Sequence, residues 1–330
     1  MKFIYYKPFP QAIEYIKEWE KDNNIEVEVS SNKFDYKEIE KLSAYDGLVL
    51  TTIKELEEDM YQKIADQDIK QIALTSVGFD KIDLDKANES GLVITNTPDY
   101  SPESIAEFTI MSILKLLKND NKISRNIENK NFRFTDEILG ESIRDKTVGI
   151  YGLGTIGFLV AQSLKAMGAK VISYTPHPKG YARNTVEFVD DFNELLEKSD
   201  IITIHSALVD ENYHQFDKKA FSKMKNGSYL VNIARGGLVN TKDLLDAVGS
   251  RKIKSVALDV YENETGIFTH KNPSYDDDIF DRLLSNPNII ITNHIAFFTK
   301  TAIKNQVYLS LDSVKEVLET GDSKNRINKN

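Results

Sequence analysis

The sequence predicts an α/β protein with two domains, each built around a parallel sheet. Its 330 residues exceed the length at which single hydrophobic cores usually stop growing. Short apolar runs alternate with amphipathic stretches along the chain, which is typical of β-α-β units around a mainly parallel sheet. Hydrophobic residues make up 41% of the chain and charged residues 28%, so two ordinary globular cores can be filled.

The first hundred residues predict one small α/β domain. Their short apolar runs are separated by stretches whose apolar residues recur at helical spacing. The predicted strands are 2–6, 26–29, 47–51, 70–75 and 92–95, and the predicted helices include 12–21 and 54–65.

A further helix is predicted to begin at Pro102. Ser101 can cap it, proline suits the first helical position, and Glu103 complements the helix dipole. Its continuation, residues 108–117, is apolar on nearly every face, which would be costly on an exposed helix. We therefore expect this helix to lie in a domain or subunit interface.

A second series of apolar runs predicts a second sheet, followed by a C-terminal helix that ends at Gly321. The predicted strands are 147–151, 170–174, 201–205, 229–233, 256–260 and 289–292. The apolar stripe of the last helix consists of Ile303, Val307, Leu311, Val314 and Leu318. The lysine- and asparagine-rich residues after that helix are expected to fray.

The composition limits the classes of partner. A net charge of −9 argues against nucleic acid as the main partner, and no apolar run approaches the roughly 18 residues needed to cross a bilayer. The absence of cysteine excludes disulfides and thiolate metal ligands, and no other cluster predicts a metal site. Because residues 1–6 are too short an apolar run for a signal peptide, we expect a cytoplasmic protein without a membrane partner.

A glycine-rich loop lies between the predicted strand 147–151 and a helical pattern that starts at Phe158. Gly152 permits a tight turn, Gly154 lets the backbone approach a pyrophosphate, and Gly157 allows close packing of helix on strand. This order predicts a dinucleotide site at a helix N-terminus. The loop residues expected at the cofactor are Gly152, Gly154, Thr155, Ile156 and Gly157.

The next predicted strand is followed by Thr175, where an acid is expected to hold the adenosine ribose. Loss of that carboxylate removes a hydrogen bond and also the charge that repels a 2′-phosphate. We expect NAD as the cofactor, with NADP as the alternative if His177 or Lys179 contacts its phosphate. In the other interpretation, Thr175 simply makes a weaker contact with the ribose.

Three later segments, together with the glycine loop, carry a family resemblance. They are Val-Asn-Ile-Ala-Arg-Gly-Gly at 231–237, Ala-Leu-Asp-Val-Tyr-Glu-Asn-Glu at 257–264 and Thr-Asn-His-Ile-Ala-Phe-Phe at 292–298. Together they resemble the D-isomer-specific 2-hydroxyacid dehydrogenases, and the last two look most like the branch that acts on D-lactate and D-2-hydroxyisocaproate. The resemblance extends over essentially the whole chain, including 77–80 and 100–102.

This resemblance implies a division of labour between two Rossmann-like domains. A substrate-binding domain would comprise 1–99 and 298–330, and an NAD-binding domain 100–297, with the active-site cleft between them. The implied activity is reversible reduction of pyruvate, or a related 2-oxo acid, to the D-2-hydroxy acid with NADH, in a homodimer formed by the helix after Pro102. The alternatives are a bulkier substrate, such as D-2-hydroxyisocaproate, and a non-enzymatic NAD sensor on the same scaffold.

Reduction of a 2-oxo acid needs three protein roles, and the chain offers a residue for each. His294 is assigned as the acid/base, because histidine ordinarily titrates near neutral pH. Glu264 is expected to orient it, and Arg235 offers a planar fork that matches the substrate carboxylate. By resemblance, further residues are expected at the cofactor, namely His205, Ala234, Arg235 and Asp259, and at the substrate, namely Thr51, Val77, Gly78, Tyr100 and Phe297.

The family pattern is broken in a few places. His205 is followed by Ser206-Ala207 where Val-Pro is usual, Asn293 stands where Pro is usual, and Thr75 where Arg is common. None of these changes removes a reacting group, so they bear on fine geometry more than on reaction class. His205 could equally be a structural residue, and the three remaining histidines are expected on the surface, namely His177, His214 and His270.

Overall fold

The chain divides into two compact units in the computed structural model. The structure describes residues 1–51, 56–176, 178, 180–268 and 270–328. One unit is Met1–Ser101 with Phe298–Asn330, and the other is Pro102–Phe297. The first boundary between the units thus lies two residues beyond the boundary predicted after residue 99. The roles given to the two units stay predictions. Within the described part of the chain, no helix is long and apolar enough to span a membrane.

The first unit contains a parallel sheet whose described strands have the order β2-β1-β3-β4-β5. The strands are β1 Lys2–Tyr6, β2 Glu26–Ser30, β3 Gly47–Leu50, β4 Gln71–Leu74 and β5 Val93–Thr95. The helices are α1 Ile13–Asn23, α2 Tyr36–Ile39, α3 Glu58–Ala65 and α4 Leu84–Glu89. The prediction of these five strands is confirmed, with bounds that differ by one residue at most. The start of the predicted helix 54–65 lies outside the described residues.

The second unit contains a parallel sheet with the described strand order β12-β11-β10-β9-β6-β7-β8. Its strands are β6 Thr147–Tyr151, β7 Lys170–Tyr174, β8 Glu187–Phe188, β9 Ile201–Ile204, β10 Ser228–Asn232, β11 Ile253–Leu258 and β12 Ile289–Ile291. Its helices are α5 Pro102–Leu117, α6 Asp120–Glu128, α7 Thr155–Ala166, α8 Phe192–Lys198, α9 Lys218–Lys223, α10 Thr241–Gly249 and α11 Asp278–Ser285. The six predicted strands are confirmed, and β8 was missed because it has only two residues. The predicted start of α5 at Pro102 is confirmed.

Both faces of the second sheet are covered by apolar clusters. Along β10, Leu230 packs in one cluster and Val231 in the other, because successive side chains of a strand point to opposite faces. The strand order reverses between β6 and β9, since the chain runs outward from β6 through β7 and returns to β9 on its other side. Ligands of doubly wound sheets bind outside the carboxyl ends of the strands at such a reversal.

The C-terminal helix, α12 Lys300–Thr320, confirms the predicted helix and its stop. Ile303, Val307 and Leu311 are buried along one face. Gly321 follows with a φ of +83° and donates its N–H to the carbonyl of Val317, the usual geometry for ending a helix.

The expectation that the following residues fray is wrong for residues 323–328. Asn328 is 2% exposed, accepts the N–H of Ile94 at 2.8 Å and donates to the carbonyl of Leu92 at 2.7 Å. Ile327 donates its N–H to the carbonyl of Ile94 at 2.9 Å. The tail thus satisfies backbone hydrogen-bonding groups at the edge of β5. These hydrogen bonds hold residues 325–328 in place.

Glu141 ties the segment before β6 to the sheet. It accepts the hydroxyl of Tyr229 at 2.6 Å and also hydrogen bonds from the ammonium groups of Lys146 and Lys254. Burial by itself would raise the pKa of the Glu141 carboxyl, but the hydrogen bonds from Lys146, Lys254 and Tyr229 outweigh it and lower this pKa to about 2. The ionised carboxylate therefore stabilises the fold.

We expect Glu141→Gln to be more destabilising near neutral pH than in acid. The folded-state pKa lies below the value of 4.5 expected for the unfolded chain, so the stabilisation is present above pH 4.5 and is lost as pH falls toward 2. Urea unfolding at about pH 7 and about pH 3 should show the difference in unfolding free energy between wild type and variant shrinking in acid. The exposed Glu137→Gln serves as control, and an equal difference at both pH values would contradict this account.

Candidate active site

The candidate residues of the second unit follow the carboxyl ends of its parallel strands. Gly152 follows β6, His205 follows β9, Arg235 lies after β10, Asp259 follows β11 and His294 lies after β12. Since all these strands run parallel in one sheet, their carboxyl ends share one edge. The sequence-predicted residues of this unit are thereby brought to the same side of the sheet.

The glycine loop fits a dinucleotide. Gly152 has a φ of +91°, and a Cβ there would lie 2.8 Å from the backbone nitrogen of Ser206. A Cβ on Gly157 would lie 2.5 Å from the carbonyl oxygen of Gly152, whereas one on Gly154 would meet no atom of the described chain within 4 Å. The loop is therefore closely packed behind and open at Gly154, where a pyrophosphate needs backbone access.

The helix α7 begins three residues earlier than its apolar pattern suggested. Gly154 is its N-cap, so Thr155, Ile156 and Gly157 form the first turn. The first hydrogen bond within the helix runs from the N–H of Phe158 to the carbonyl of Gly154. The N–H groups of the first turn therefore have no acceptor within the helix. These groups, with the helix dipole, are suited to hold phosphate oxygens.

Thr175 lies directly after β7 and is partly buried. The preceding residue, Tyr174, accepts the N–H of Gly152 at 3.0 Å, so the end of β7 is fixed beside the glycine loop. His177 and Lys179, the candidate contacts for a 2′-phosphate, lie outside the described residues.

His294 and Glu264 form a hydrogen-bonded pair. Nδ1 of His294 lies 2.7 Å from Oε1 of Glu264, and Oε2 of Glu264 accepts the N–H of Tyr261 at 2.9 Å. The His294 side chain is 37% exposed. Because Nδ1 faces the carboxylate, Nε2 is the ring nitrogen that remains for proton exchange.

Asp259 holds the loop that presents His294. Its side chain is fully buried, and its carboxylate accepts the N–H groups of Ile295 and Ala296 at 3.0 and 2.9 Å. The hydroxyl of Thr292 donates to the same carboxylate at 2.5 Å. His294 itself has a φ of +59°, a strained conformation for histidine, and its N–H donates to the Asp259 carbonyl at 2.7 Å. These contacts favour a positioning role for Asp259, and its expected place at the cofactor stays a prediction.

Arg235 is presented by a short turn. Its carbonyl accepts the side-chain amide of Asn232 at 2.8 Å, and its Nη1 donates to the carbonyl of Ala234 at 2.9 Å. The next residue, Gly236, packs so tightly that a Cβ there would lie 2.1 Å from the carbonyl carbon of Tyr261. A larger residue at Gly236 would therefore push this turn away from the segment that carries Glu264.

His205 lies on the sheet side of its loop. Its Nε2 is 2.9 Å from the hydroxyl of Thr203, and burial lowers the pKa of the ring to about 3. Burial therefore favours the neutral ring. The cofactor-side and structural interpretations of His205 both remain.

A residue that the sequence reasoning missed restrains the loop after His205. The side-chain amide of Asn212 donates to the carbonyl of Ala207 at 2.8 Å and accepts the N–H of Val209 at 2.8 Å. These bonds hold the backbone where the family usually carries proline. The signal available in the sequence was a single asparagine in a loop, a residue type that often bonds to nearby backbone.

The expected substrate residues are divided between the units. In the first unit, the carbonyl of Val77 accepts the side-chain amide of Asn96 at 2.8 Å, and that of Gly78 accepts the Ser76 hydroxyl at 2.7 Å. Thr51 follows β3, and Tyr100 is 7% exposed. In the second unit, the ring of Phe297 lies edge-on to His294 with centroids 6.5 Å apart. Their roles toward substrate stay predictions.

The expectation for two other histidines had different outcomes. His270 is exposed as expected. His214 is only partly exposed, with 26% of its side chain accessible, and its Nε2 lies 2.7 Å from Oε2 of Glu262. An isolated polar loop residue gives no periodic pattern from which such burial can be predicted.

The chain is similar to known dehydrogenases in sequence and in fold. Residues 110–296 match the family model described as "D-isomer specific 2-hydroxyacid dehydrogenase, NAD binding domain". The chain is 36% identical over 318 residues to a D-2-hydroxyacid dehydrogenase (NAD(+)) of Clostridioides difficile, covering 95% of this chain and 96% of that one. It is 36% identical over 312 residues to a D-lactate dehydrogenase of Staphylococcus aureus (strain MRSA252), covering 94% of each. A solved D-2-hydroxyisocaproate dehydrogenase superposes with a TM-score of 0.92, at 31% identity and full coverage of both chains.

Proposed function

Since the chain belongs to the D-isomer-specific 2-hydroxyacid dehydrogenase family, whose NAD-binding domain it carries, we propose that it reversibly reduces pyruvate to D-lactate. The observation that carries this proposal is the His294–Glu264 pair, which joins a proton donor to an orienting carboxylate. The names of several relatives support lactate as the product.

NAD is the cofactor, and NADH, when bound, would supply the hydride for the carbonyl carbon. The glycine loop and the first turn of α7 would hold its pyrophosphate, and Thr175 would face the adenosine ribose. Glycines at these positions keep side chains away from the phosphates.

The protein groups supply the proton and the charge complement. His294 would donate a proton from Nε2 to the substrate carbonyl oxygen, while Glu264 at Nδ1 orients the ring. Arg235 would bind the substrate carboxylate with its planar fork and stabilise the negative charge that develops on the oxygen. Asp259 would keep the strained His294 in place through the 292–296 loop.

The experiment that tests the substrate assignment is a comparison of initial rates for a panel of 2-oxo acids with NADH. We expect pyruvate to give the highest kcat/KM. A preference for 2-oxoisocaproate would favour the second candidate, a dehydrogenase of bulkier acids, which the small Thr51 and the solved D-2-hydroxyisocaproate dehydrogenase support. No turnover of any acid in the panel would favour the non-enzymatic NAD sensor.

Cofactor choice gives a separate prediction. Thr175→Asp should strengthen NADH binding through the ribose hydroxyls and weaken NADPH binding by charge repulsion. We expect the ratio of the two KM values to shift by more than about tenfold, or roughly 1.4 kcal/mol, toward NADH. Steady-state rates with both cofactors measure this, and the exposed Thr135→Asp is the control. An unchanged ratio would mean that other residues set the choice.

We further propose that the protein is a homodimer formed through α5, α6 and the segment after α6. Apolar side chains are exposed there, including Met111 at 38%, Ile127 at 51%, Phe132 at 71% and Phe134 at full exposure. Because large apolar side chains exposed over one stretch of chain often mark an interaction site, a second copy is the proposed occupant. The mass in solution by light scattering should be twice 37.5 kDa, whereas a monomeric mass would contradict the dimer. A cytoplasmic location stays a prediction.

A further inference from the structure

A hydrogen-bonded cluster outside the proposed reacting groups links the segments that carry Arg235 and Glu264. Its centre is the carboxylate of Glu262, whose side chain is 17% exposed. Oε2 of Glu262 lies 2.7 Å from Nε2 of His214, and Oε1 accepts the backbone N–H of Thr241 at 3.0 Å. Both carboxylate oxygens are thus engaged.

This cluster is hydrogen-bonded to both ends of the turn between Arg235 and the start of α10. The N–H of His214 donates to the carbonyl of Gly237 at 2.7 Å, so Glu262 reaches one end of the turn through His214. It reaches the other end directly at Thr241, the first residue of α10, where the helix dipole favours a carboxylate. Within the turn, a Cβ on Gly236 would lie 2.3 Å from the nitrogen of Glu262, so the turn is seated against this segment.

The backbone conformation of His214 is consistent with these hydrogen bonds. Its φ of +52° is rarely adopted by histidine and persists only where surrounding contacts enforce it. Nδ1 lies 3.3 Å from the amide nitrogen of Asn240, and the ring of Tyr213 stacks on the imidazole with centroids 4.0 Å apart. Because the Asn240 amide donates to Nδ1, the hydrogen-bond network assigns the proton of the neutral ring to Nε2, which donates to Glu262.

We propose that Glu262 is a positioning residue for the reaction. By holding the turn after Arg235 against the turn that carries Glu264, it sets the place of the Arg235 guanidinium relative to the His294–Glu264 pair. The pair itself has separate supports, since Glu264 accepts the N–H of Tyr261. The proposal rests on the proposed function, in which Arg235 binds the substrate carboxylate. A displaced guanidinium loses bidentate geometry first, so substrate binding should suffer more than NADH binding.

The test compares wild type with Glu262→Gln. The amide keeps the size of the side chain, but His214 and Thr241 are bound by different carboxylate oxygens, and one of these becomes an NH2 group that cannot accept a hydrogen bond. Binding of oxamate, an unreactive pyruvate analogue, is measured at equilibrium on the NADH-loaded protein by NADH fluorescence. We expect the oxamate Kd and the pyruvate KM to rise at least about tenfold, with kcat lowered less than about threefold and the NADH Kd unchanged.

Two further variants complete the design. His214→Ala should show the same split between KM and kcat, and the double variant should be no worse than either single one, because both remove one interaction. Asp191→Asn is the matched control, since that carboxylate caps α8 by accepting the N–H of Glu194 at 2.9 Å, away from this cluster. It should leave the oxamate Kd and the pyruvate KM at wild-type values.

The proposal is overturned if Glu262→Gln and His214→Ala bind oxamate like wild type. It is also overturned if their defect is confined to thermal stability or to the NADH Kd. Should Glu262→Gln fail to fold, His214→Ala decides alone. If the wild-type protein reduces no 2-oxo acid, the proposed function fails and this inference falls with it, whereas normal wild-type turnover with unaffected variants refutes the inference alone.

Discussion

Replacing His294 by Gln is expected to lower kcat for pyruvate reduction at least about a hundredfold, the usual scale for losing a positioned acid. Glutamine can still donate a hydrogen bond to Glu264, whose Oε1 lies 2.7 Å from Nδ1 of His294 in the wild type. Its amide protons are not acidic enough to be transferred to the substrate at neutral pH. The loss should therefore appear in the chemical step, measured as the single-turnover rate with NADH and saturating pyruvate.

The control for this change is His270→Gln. His270 is exposed and its Nδ1 lies 3.0 Å from the carbonyl of Phe268, so its replacement should leave kcat unaltered. Thermal unfolding and NADH binding should show that the His294 variant is folded and loaded. A folded variant with a wild-type single-turnover rate would remove His294 from the mechanism.

Replacing Arg235 by Lys is expected to lower kcat/KM by at least about a hundredfold although the positive charge is kept. Lysine provides a point charge. The guanidinium offers two parallel N–H groups to the substrate carboxylate and a further donor toward the carbonyl oxygen of the group that is reduced. The turn at Arg235 is tightly seated, so a lysine ammonium group cannot regain that geometry by a shift of the backbone.

The matched control is Arg282→Lys on α11, where the side chain is 55% exposed and 4.0 Å from Asp246. That variant should keep the wild-type kcat/KM, because exposed ion pairs contribute little. If Arg235→Lys retained most of the activity, a general positive charge rather than a planar fork would suffice, and the role given to Arg235 would be wrong.

Patterns local in sequence predicted much of the fold. Alternation of apolar runs gave the strands of both sheets, because a buried parallel strand is apolar on both faces. The glycine loop was predicted with its helix start three residues late, since the glycines lower helix propensity. Gly157 is nevertheless helical, because it packs against the carbonyl of Gly152 and tertiary contact overrides propensity.

Contacts between distant segments could not be predicted in this way. Asn328 bonds to Ile94, which is 234 residues away, so composition alone suggested a fraying tail. The Glu262–His214 contact joins residues 48 positions apart, and neither residue lies in a periodic pattern. The reacting residues were assigned from chemistry and resemblance, whereas the residues that hold them in place became visible only from the fold.

Hydride from bound NADH is expected to reach one face of the carbonyl carbon while His294 protonates the carbonyl oxygen, so the chirality of the product tests the proposed function most directly. The purified protein is incubated with pyruvate and NADH, and the lactate formed is resolved on a chiral column. We expect D-lactate alone, in an amount equal to the NADH consumed. L-lactate or a racemic product would contradict the proposed function.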